Sequence, residues 1–508
     1  MTDTAQAERR RSPDVTATEL PPLATRLVAV IAVAFVAVEL GVSARYGFHR
    51  DELYFMACAR HLAWGFVDQP PFVPAVAWIA THVLGTTPTA LRVLPALAGG
   101  AAVVVAALIA RELGGRTRAQ ALAALAAATS PLFLAAFHLL STAAFDMFFW
   151  AALTFGVLRV LRTDDERLWV PIGALAGVAL LNKWNVAFLL VGLAAGLLLG
   201  GRQRVFASRT FWIGAAIALV IWLPNLVWNA RHDWAEISMT QNLHRENSDL
   251  GASIEFIPSQ VFVVGPVLIV FWLAGLRDLL RSTFARPLGV AYLFLLAFFT
   301  LTGAKPYYLA GMYFVLFGAG GVWAERRTER KGRSARGWVA LMLVGALLAV
   351  PAALPVLPER ALPTASWSGD LNKDLSATVG WQHFVAQVAG VVATLPRAER
   401  AQVVVLTGDY GAAGAIDLYG ARFGLPHALS GHNTYWWWGP GNAANGATTI
   451  AINLSRAGLR DQFGEVELAG RVTTPHGVWS EERDAPIWIC RHQKQTWAEA
   501  WPAARHYS

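Results

Sequence analysis

Charge is scarce in this chain. Asp, Glu, Lys and Arg make up 15% of its 508 residues, against 55% hydrophobic residues. That balance excludes an ordinary water-soluble enzyme of several domains, and it excludes a disordered chain, whose composition runs the other way. Cysteine is nearly absent. With only Cys58 and Cys490 there is no disulfide framework, and Cys58 falls in an apolar, membrane-dipping segment, so no bridge between them is expected. Zinc-ligand spacing is missing too: His49, His61 and His82 are irregularly placed and read as interfacial packing. Gly408, Gly411 and Gly414 are spaced GxxGxxG, not GxGxxG, which fits a tight turn and close packing instead of a dinucleotide site. No small-residue cleavage site follows Leu27–Val42, and residues 1–25 are polar with Arg9, Arg10 and Arg11, so a cleavable signal is not expected. Helix lengths and motifs do not repeat, which argues against the inverted repeats of transporters.

What the chain does have is apolar runs, 21 Trp and a mean hydropathy of +0.42. Runs of about 15–24 residues are long enough to cross a bilayer. They predict helices near 25–44, 90–111, 119–138, 142–161, 168–182, 185–200, 210–229, 257–280, 287–303, 306–324 and 337–356. Alternate loops separate by charge. Arg9–Arg11, Arg111/Arg116/Arg118, Arg162/Arg167, Arg202/Arg204/Arg209, Arg277/Arg281/Arg286 and the run 326–336 share one side, which the positive-inside rule makes the cytoplasm. The net charge of +8 therefore reports topology, and no nucleic-acid partner is expected. Residues 168–200 as one helix would reach about 50 Å, too long for a hydrocarbon core of about 30 Å. Two short helices turning at Asn182-Lys183-Trp184-Asn185 satisfy both length and charge.

The expected fold class is thus a polytopic α-helical membrane protein of about eleven transmembrane helices with a C-terminal extracytoplasmic α/β domain. Residues 1–24 form a cytoplasmic tail, 25–356 the membrane domain with a first outer loop at 45–89, and 357–508 the α/β domain. In that domain 375–395, 410–423 and 456–463 read as helices, and 401–406, 448–454, 465–472 and 485–490 as strands.

The chemistry concentrates in the first outer loop. It reads His49-Arg50-Asp51-Glu52-Leu53-Tyr54 and runs on to Trp64-Gly65-Phe66-Val67-Asp68-Gln69-Pro70-Pro71. Acids held at a bilayer edge need a reason, and the usual one is function. Asp51 has a structural alternative as N-cap of a helix 52–61. A second aromatic, amphipathic piece, 72–83, would complete an interfacial cavity in which a partly desolvated carboxylate suits a general base. Asp146, in the first turn after Ser141-Thr142, is the second acid, with a solvated helix-start acid as its alternative. Lys183 and Lys305 are lone lysines at outer helix ends among aromatics, suited to a lipid phosphate or to snorkelling. Arg231 and Arg245 are weaker candidates for the same headgroup. Tyr435-Trp436-Trp437-Trp438 can stack on a sugar or pack the domain on the membrane surface.

His-Arg-Asp-Glu-Leu-Tyr with Asp-Gln-Pro-Pro, the acid of Ser141-Thr-Ala-Ala-Phe-Asp146 and Lys305-Pro-Tyr-Tyr resemble the GT-C superfamily of integral-membrane glycosyltransferases. Within it they are similar to the bacterial family 39-type enzymes related to protein O-mannosyltransferases and the lipid A aminoarabinose transferase. The segments from Gly408 to Ile416 and from Ser430 to Pro440 are similar to bacterial members of the group as well. The resemblance implies an inverting transfer of a sugar from a polyprenyl phosphate to a hydroxyl of a glycan, lipid or protein at the outer face of the bacterial cell membrane. It implies Asp51 as base, Glu52 and Asp146 as the other catalytic acids, and Lys305 with Tyr307 or Tyr308, and Lys183, as holders of the phosphate. His49, Arg50, Tyr54, Asp68, Pro70, Pro71, His432 and Asn433 would line the substrate pocket. No cofactor is expected, because the leaving group is already an anion and a divalent metal is not obligatory. The rival classes are a transporter or flippase, and a scaffold presenting the C-terminal domain; the scaffold would leave Asp51, Asp68 and Asp146 without a purpose.

Overall fold

The computed structural model describes residues 20–247, 250–365 and 373–508; Arg9, Arg10 and Arg11 lie outside the described residues. Each predicted apolar run is helical: α1 (Thr25–Val42), then after the first loop α4 (Pro88–Glu112), α5 (Thr117–Thr129), α6 (Pro131–His138), α7 (Thr142–Thr163), α8 (Trp169–Leu180), α9 (Asn185–Leu199), α10 (Arg209–Arg231), α12 (Leu250–Val264), α13 (Ile269–Arg281), α14 (Arg286–Thr302), α15 (Tyr313–Arg330) and α16 (Arg336–Ala353). The first loop holds α2 (Arg50–Arg60) and α3 (Phe72–Val83), and α11 (Ala235–Asn247) follows α10. Among the described residues six helices are long and apolar enough to cross a membrane, or up to eight when two bent pairs each count as one span.

Two expected continuous helices are broken, and local chemistry explains both. Pro131 cannot donate a backbone hydrogen bond, and α5 and α6 meet there at 61°. Gly265 takes φ 99° ahead of Pro266, and the pair Ser253–Val264 and Pro266–Arg281 bends by 94°. The stretch expected as one helix at 306–324 begins as a 3-10 turn, Pro306–Met312, ahead of α15. The break between α8 and α9 falls at 181–184, where it is expected.

The loops collect at two ends of the bundle. At one end Arg116 pairs with Glu329, Arg162 with Glu112, and Arg202 with Asp164 (3.6 Å), so the basic loops meet one another. At the other, the Tyr46 hydroxyl donates to Leu357 O (2.7 Å), Phe72 N to Leu181 O (3.0 Å), Asn182 Nδ2 to Thr142 O (3.0 Å), Asn225 Nδ2 to Trp64 O (2.9 Å) and Gln260 Nε2 to Pro306 O (3.0 Å). Three of these bonds tie the first loop to the segment after α16, to the α8–α9 turn and to α10, and the other two join further segments of that end to one another.

The C-terminal segment joins the loop end. Helices α17 (Trp381–Thr394), α18 (Tyr410–Tyr419) and α19 (Arg456–Gln462) surround five strands: β1 (Val404–Thr407), β2 (Ala428–Ser430), β3 (Thr449–Ile452), β4 (Phe463–Arg471) and β5 (Pro486–Gln493). The sheet order is β2-β1-β3-β5-β4. The first three strands are parallel, with Val405 opposite Ala428 and Ile450; β5 runs antiparallel to β3 and β4. Strand alternation divides the side chains. Val405, Ile450 and Ile489 join the hydrophobic core shared with the helix bundle, whereas Leu406, Ala451, Trp488 and Cys490 close a second core with Trp497 and Trp501. Strand β2 was not expected; three residues between Pro426 and Gly431 are too few to show a period. Cys58 and Cys490 are both buried and unpaired.

Candidate functional site

The first loop is organised from the start of α2, and the residue that caps it is His49, not Asp51. His49 is extended (φ −72°, ψ 151°), its Nδ1 accepts from Asp51 N at 3.1 Å, and its own N donates to Glu52 Oε2 at 2.8 Å. The helix therefore begins at Arg50, two residues ahead of the expected start, and the Asp51 side chain is released from capping.

Glu52 is fully committed to holding the loop. It is buried, and its two oxygens accept from Arg92 Nε (3.0 Å) and Nη2 (2.8 Å), from His49 N (2.8 Å) and from Leu140 N (3.0 Å). Arg92, a lone arginine within the apolar run of α4, also donates to Ser43 O (2.7 Å) and Gly47 O (2.8 Å). All four lone-pair positions of the Glu52 carboxylate are thus taken by donors of the protein itself.

Asp51 stands differently. Its side chain is 36% exposed, Oδ1 accepts from the Tyr410 hydroxyl at 2.8 Å, and Oδ2 lies 3.8 Å from His49 Nδ1. Arg50 Nε is 3.7 Å from Oδ1, and Arg50 also pairs with Glu481. Burial pushes the Asp51 carboxyl up, but His49, Arg50, the Tyr410 hydroxyl and the charge of Lys305 together bring it below its ordinary value. A carboxylate kept charged beside cations is ready to accept a proton from a bound hydroxyl.

Asp68 has the opposite environment. Its Oδ1 accepts from the Tyr54 hydroxyl at 2.7 Å, and burial pushes its carboxyl up to about 7 despite that bond, with Asp51 adding to the rise. Tyr54 is buried, and its hydroxyl is also 2.7 Å from Thr434 Oγ1, which accepts from Val67 N at 3.0 Å. Pro70 is buried and Pro71 precedes the first turn of α3. The amide of Gln69, between Asp68 and Pro70, is buried and has no hydrogen-bond partner among the described residues.

The second acid, Asp146, is buried in α7, not solvated. Ser141 caps that helix, accepting from Ala144 N at 3.2 Å, and Asp146 Oδ2 accepts from Asn185 Nδ2 at 2.8 Å. The Lys183 ammonium lies 5.1 Å from the centre of the Tyr307 ring and 5.0 Å from that of Tyr308. The two tyrosines that the sequence pairs with Lys305 are thus turned to Lys183. Lys305 itself is exposed, close enough to act electrostatically on Asp51. Among the described residues, Asn182 Oδ1 and Asn185 Oδ1 are buried oxygens without a hydrogen-bond donor around the same turn. Arg231 and Arg245 are exposed.

His432 and Asn433 sit behind Tyr410. The His432 ring centre is 4.9 Å from that of Tyr410 and 4.6 Å from that of His506, and Asn433 Nδ2 donates to Ser508 O at 3.3 Å. The aromatic run 435–438 packs the domain on the loops: Tyr435 is 6.2 Å from Tyr54, Trp438 stacks on His61 at 4.6 Å, and Trp437 meets His232 at 4.8 Å. His82 stacks on Trp78 at 4.4 Å, the packing role expected of it. Among the described residues no group of three or more His, Cys, Asp or Glu is arranged to hold a metal ion. The contributions that sequence reasoning missed are Arg92, Asn185, Tyr410 and Thr434. Of these Arg92 left a signal as a charge in an apolar run and Asn185 lies in the turn predicted at 182–185, whereas Tyr410 and Thr434 lie in segments singled out for their resemblance alone.

Residues 68–228 match the family model described as dolichyl-phosphate-mannose-protein mannosyltransferase. A lipid A galacturonosyltransferase, RgtD, of Rhizobium johnstonii is 29% identical over 245 residues, 46% of this chain and 50% of the relative. The chain therefore spans about half the length of the curated relative it matches. The crystal structure of ArnT from Cupriavidus metallidurans bound to undecaprenyl phosphate superposes with a TM-score of 0.60 at 15% identity, over 92% of this chain and 97% of that one. Its apo form gives the same TM-score at 16% identity. These similarities agree with the resemblance read from the first loop.

Proposed function

We propose that this chain, a GT-C-type multi-pass membrane protein by family match, curated relative and fold, transfers a sugar from a polyprenyl-phosphate donor to a hydroxyl acceptor, with inversion. The observation that carries the reading is Asp51: a partly exposed carboxylate kept charged at the loop end, with the lysines 305 and 183 among aromatics at the same end. In the transfer, Oδ2 of Asp51 takes the proton of the acceptor hydroxyl. The acceptor oxygen forms its bond to the anomeric carbon as the bond from that carbon to the phosphate oxygen breaks on the opposite face. The departing lipid phosphate keeps the electron pair, and Lys305 and Lys183 balance its charge. Asp146 and the unpartnered oxygens of Asn182 and Asn185 suit the sugar hydroxyls, which are donors. The RgtD relative supports a lipid acceptor as readily as the family model supports a protein, so the acceptor class stays at glycan, lipid or protein.

The site belongs to the outer face in this reading. The basic loops gather at the opposite end of the bundle, which the positive-inside rule makes cytoplasmic. Eleven crossings then follow if α5 with α6 and α12 with α13 are one span each and α8, α9 and α14 are short spans. Residues 25–356 are the membrane domain and 357–508 an extracytoplasmic domain of a protein of the bacterial cell membrane.

Asp51→Asn is the direct test. Because His49 caps α2, the amide disturbs no cap, and it cannot take a proton. Purified protein in lipid nanodiscs, given a labelled polyprenyl-phosphate sugar, should lose roughly 10²-fold or more of its transfer rate with this substitution and keep its thermal stability. A variant that retains most of the rate removes Asp51 from the chemistry.

A further inference from the structure

We propose that Tyr410, a residue of the C-terminal domain, is a positioning residue for the base: its hydroxyl donates to Asp51 Oδ1 and leaves Oδ2 as the oxygen aimed at the acceptor. This rests on the transfer reading above, with Asp51 as base. The domain is then part of the active site and not a passenger on it.

The placement begins with the sheet. In a parallel sheet the loops that leave the carboxyl ends of the strands are the ones that form sites. Here that edge is turned onto the first outer loop. Asp409 and Tyr410 follow β1, and His432, Asn433 and Thr434 follow β2; Tyr410 reaches Asp51 (2.8 Å) and Thr434 reaches Tyr54 (2.7 Å). Glycine makes the approach possible. A Cβ on Gly411 would stand 2.9 Å from Arg50 Cβ, and one on Gly414 would stand 2.9 Å from the Leu53 carbonyl carbon. The expected packing role of the GxxGxxG glycines thus acquires a partner, the helix that carries the base.

The ring of Tyr410 is held on three sides. Tyr54 lies 4.8 Å away, His432 4.9 Å away, and the Arg50 guanidinium 5.6 Å from the ring centre. Packing alone would need the ring and not the hydroxyl. Among the described residues the hydroxyl has one acceptor, and that acceptor is Asp51.

The titratable and charged groups that face Asp51 fix the sign of the effect. His49 and Arg50 come from its own helix and cap, Tyr410 from α18, and Lys305 from the turn before α15. Asp68 lies in the same loop, Asp374 sits 3.7 Å from His49 Nε2, Glu481 pairs with Arg50, and Asp409 adjoins Tyr410. Removing the hydroxyl while keeping the ring deletes one donor that favours the carboxylate and leaves every other charge in place. Protonation of Asp51 must then become easier.

Tyr410→Phe should therefore move the acidic limb of the kcat/KM–pH profile up by about one unit and lower kcat about tenfold, with the KM for the lipid donor within about twofold of wild type. A readout independent of turnover is the infrared band of protonated Asp51, assigned by its loss in Asp51→Asn; its midpoint should rise by the same amount. Replacing residue 410 with 3-fluorotyrosine, a stronger donor, should move the midpoint down. If wild type transfers no sugar the transfer reading falls, and the infrared midpoints still decide the role of Tyr410. Midpoints and acidic limbs unchanged in both variants would overturn the proposal.

Discussion

Glu52→Gln isolates the role of the buried ion pair from the role of Asp51, the proposed base, beside it. Glu52 and Arg92 are 0% and 1% exposed at their side chains, so solvent screens neither. The carboxylate accepts four hydrogen bonds, two on each oxygen. Glutamine keeps the shape but turns one oxygen into a donor, which faces either Arg92 Nε and Leu140 N or Arg92 Nη2 and His49 N. In both orientations two donors lose their acceptor and the guanidinium loses its hydrogen-bonded counter-charge. Breaking a buried pair by removing one partner costs about 3–5 kcal/mol; the other acceptors of Arg92 are the neutral carbonyls of Ser43 and Gly47, and the Glu39 carboxyl, close enough to act electrostatically on Arg92, offsets part of the loss and places it toward the lower end.

The measurement is unfolding in mixed micelles, titrated with dodecyl sulfate and followed by tryptophan fluorescence. Glu52→Gln should lose stability by that amount and lose sugar transfer with it, because His49, Gly47 and Leu140 are all held through the same carboxylate. Glu52→Gln with Arg92→Met removes both charges and should recover at least half of the loss, the behaviour expected when a buried pair is replaced as a unit. Glu52→Gln with wild-type stability and no transfer would refute the positioning role and return Glu52 to the chemistry.

Lys305→Ala and Lys183→Met should each raise the KM for the lipid donor about tenfold, and only Lys183→Met should also lower thermal stability, since Tyr307 and Tyr308 lose the cation between them. An alkaline phosphatase fused after residue 508 should be active and one fused in the 331–335 loop inactive, as enzyme activity in whole cells would show. Asp68→Asn should gain stability relative to wild type as pH rises. The folded carboxyl titrates at about 7, above its ordinary value of about 3.9, so the wild-type advantage present below about pH 4 disappears by about pH 7. Thermal melts at pH 5, 6, 7 and 8 should show the difference growing to pH 7 and then levelling; a difference that ignores pH would mean Asp68 does not titrate there.

The helices were legible because a membrane leaves few choices: an apolar run of sufficient length has its backbone bonds satisfied only as a helix. Breaks at Pro131 and Gly265 were visible as residues yet overlooked, since the apolar runs continue through them. In the loop, the acid at position 51 was legible but its structural alternative was not correctly drawn. Asp is a far commoner cap than His, and only the extended backbone at His49 shows which residue holds that place. Arg92 is the reverse case, a charge whose position in an apolar run announced a buried partner without saying that the partner was Glu52, forty residues away.

The contacts that escaped sequence reasoning share one property, long separation along the chain. Tyr46 to Leu357, Asp51 to Tyr410 and Tyr54 to Thr434 join residues 311, 359 and 380 positions apart. No local pattern carries such information, because each partner satisfies its own helix or strand first. The two acids of the loop differ in just this respect: Glu52 finds its donors within the membrane bundle, on Arg92 and Leu140, whereas the Asp51 oxygen that meets Tyr410 takes its donor from the C-terminal domain.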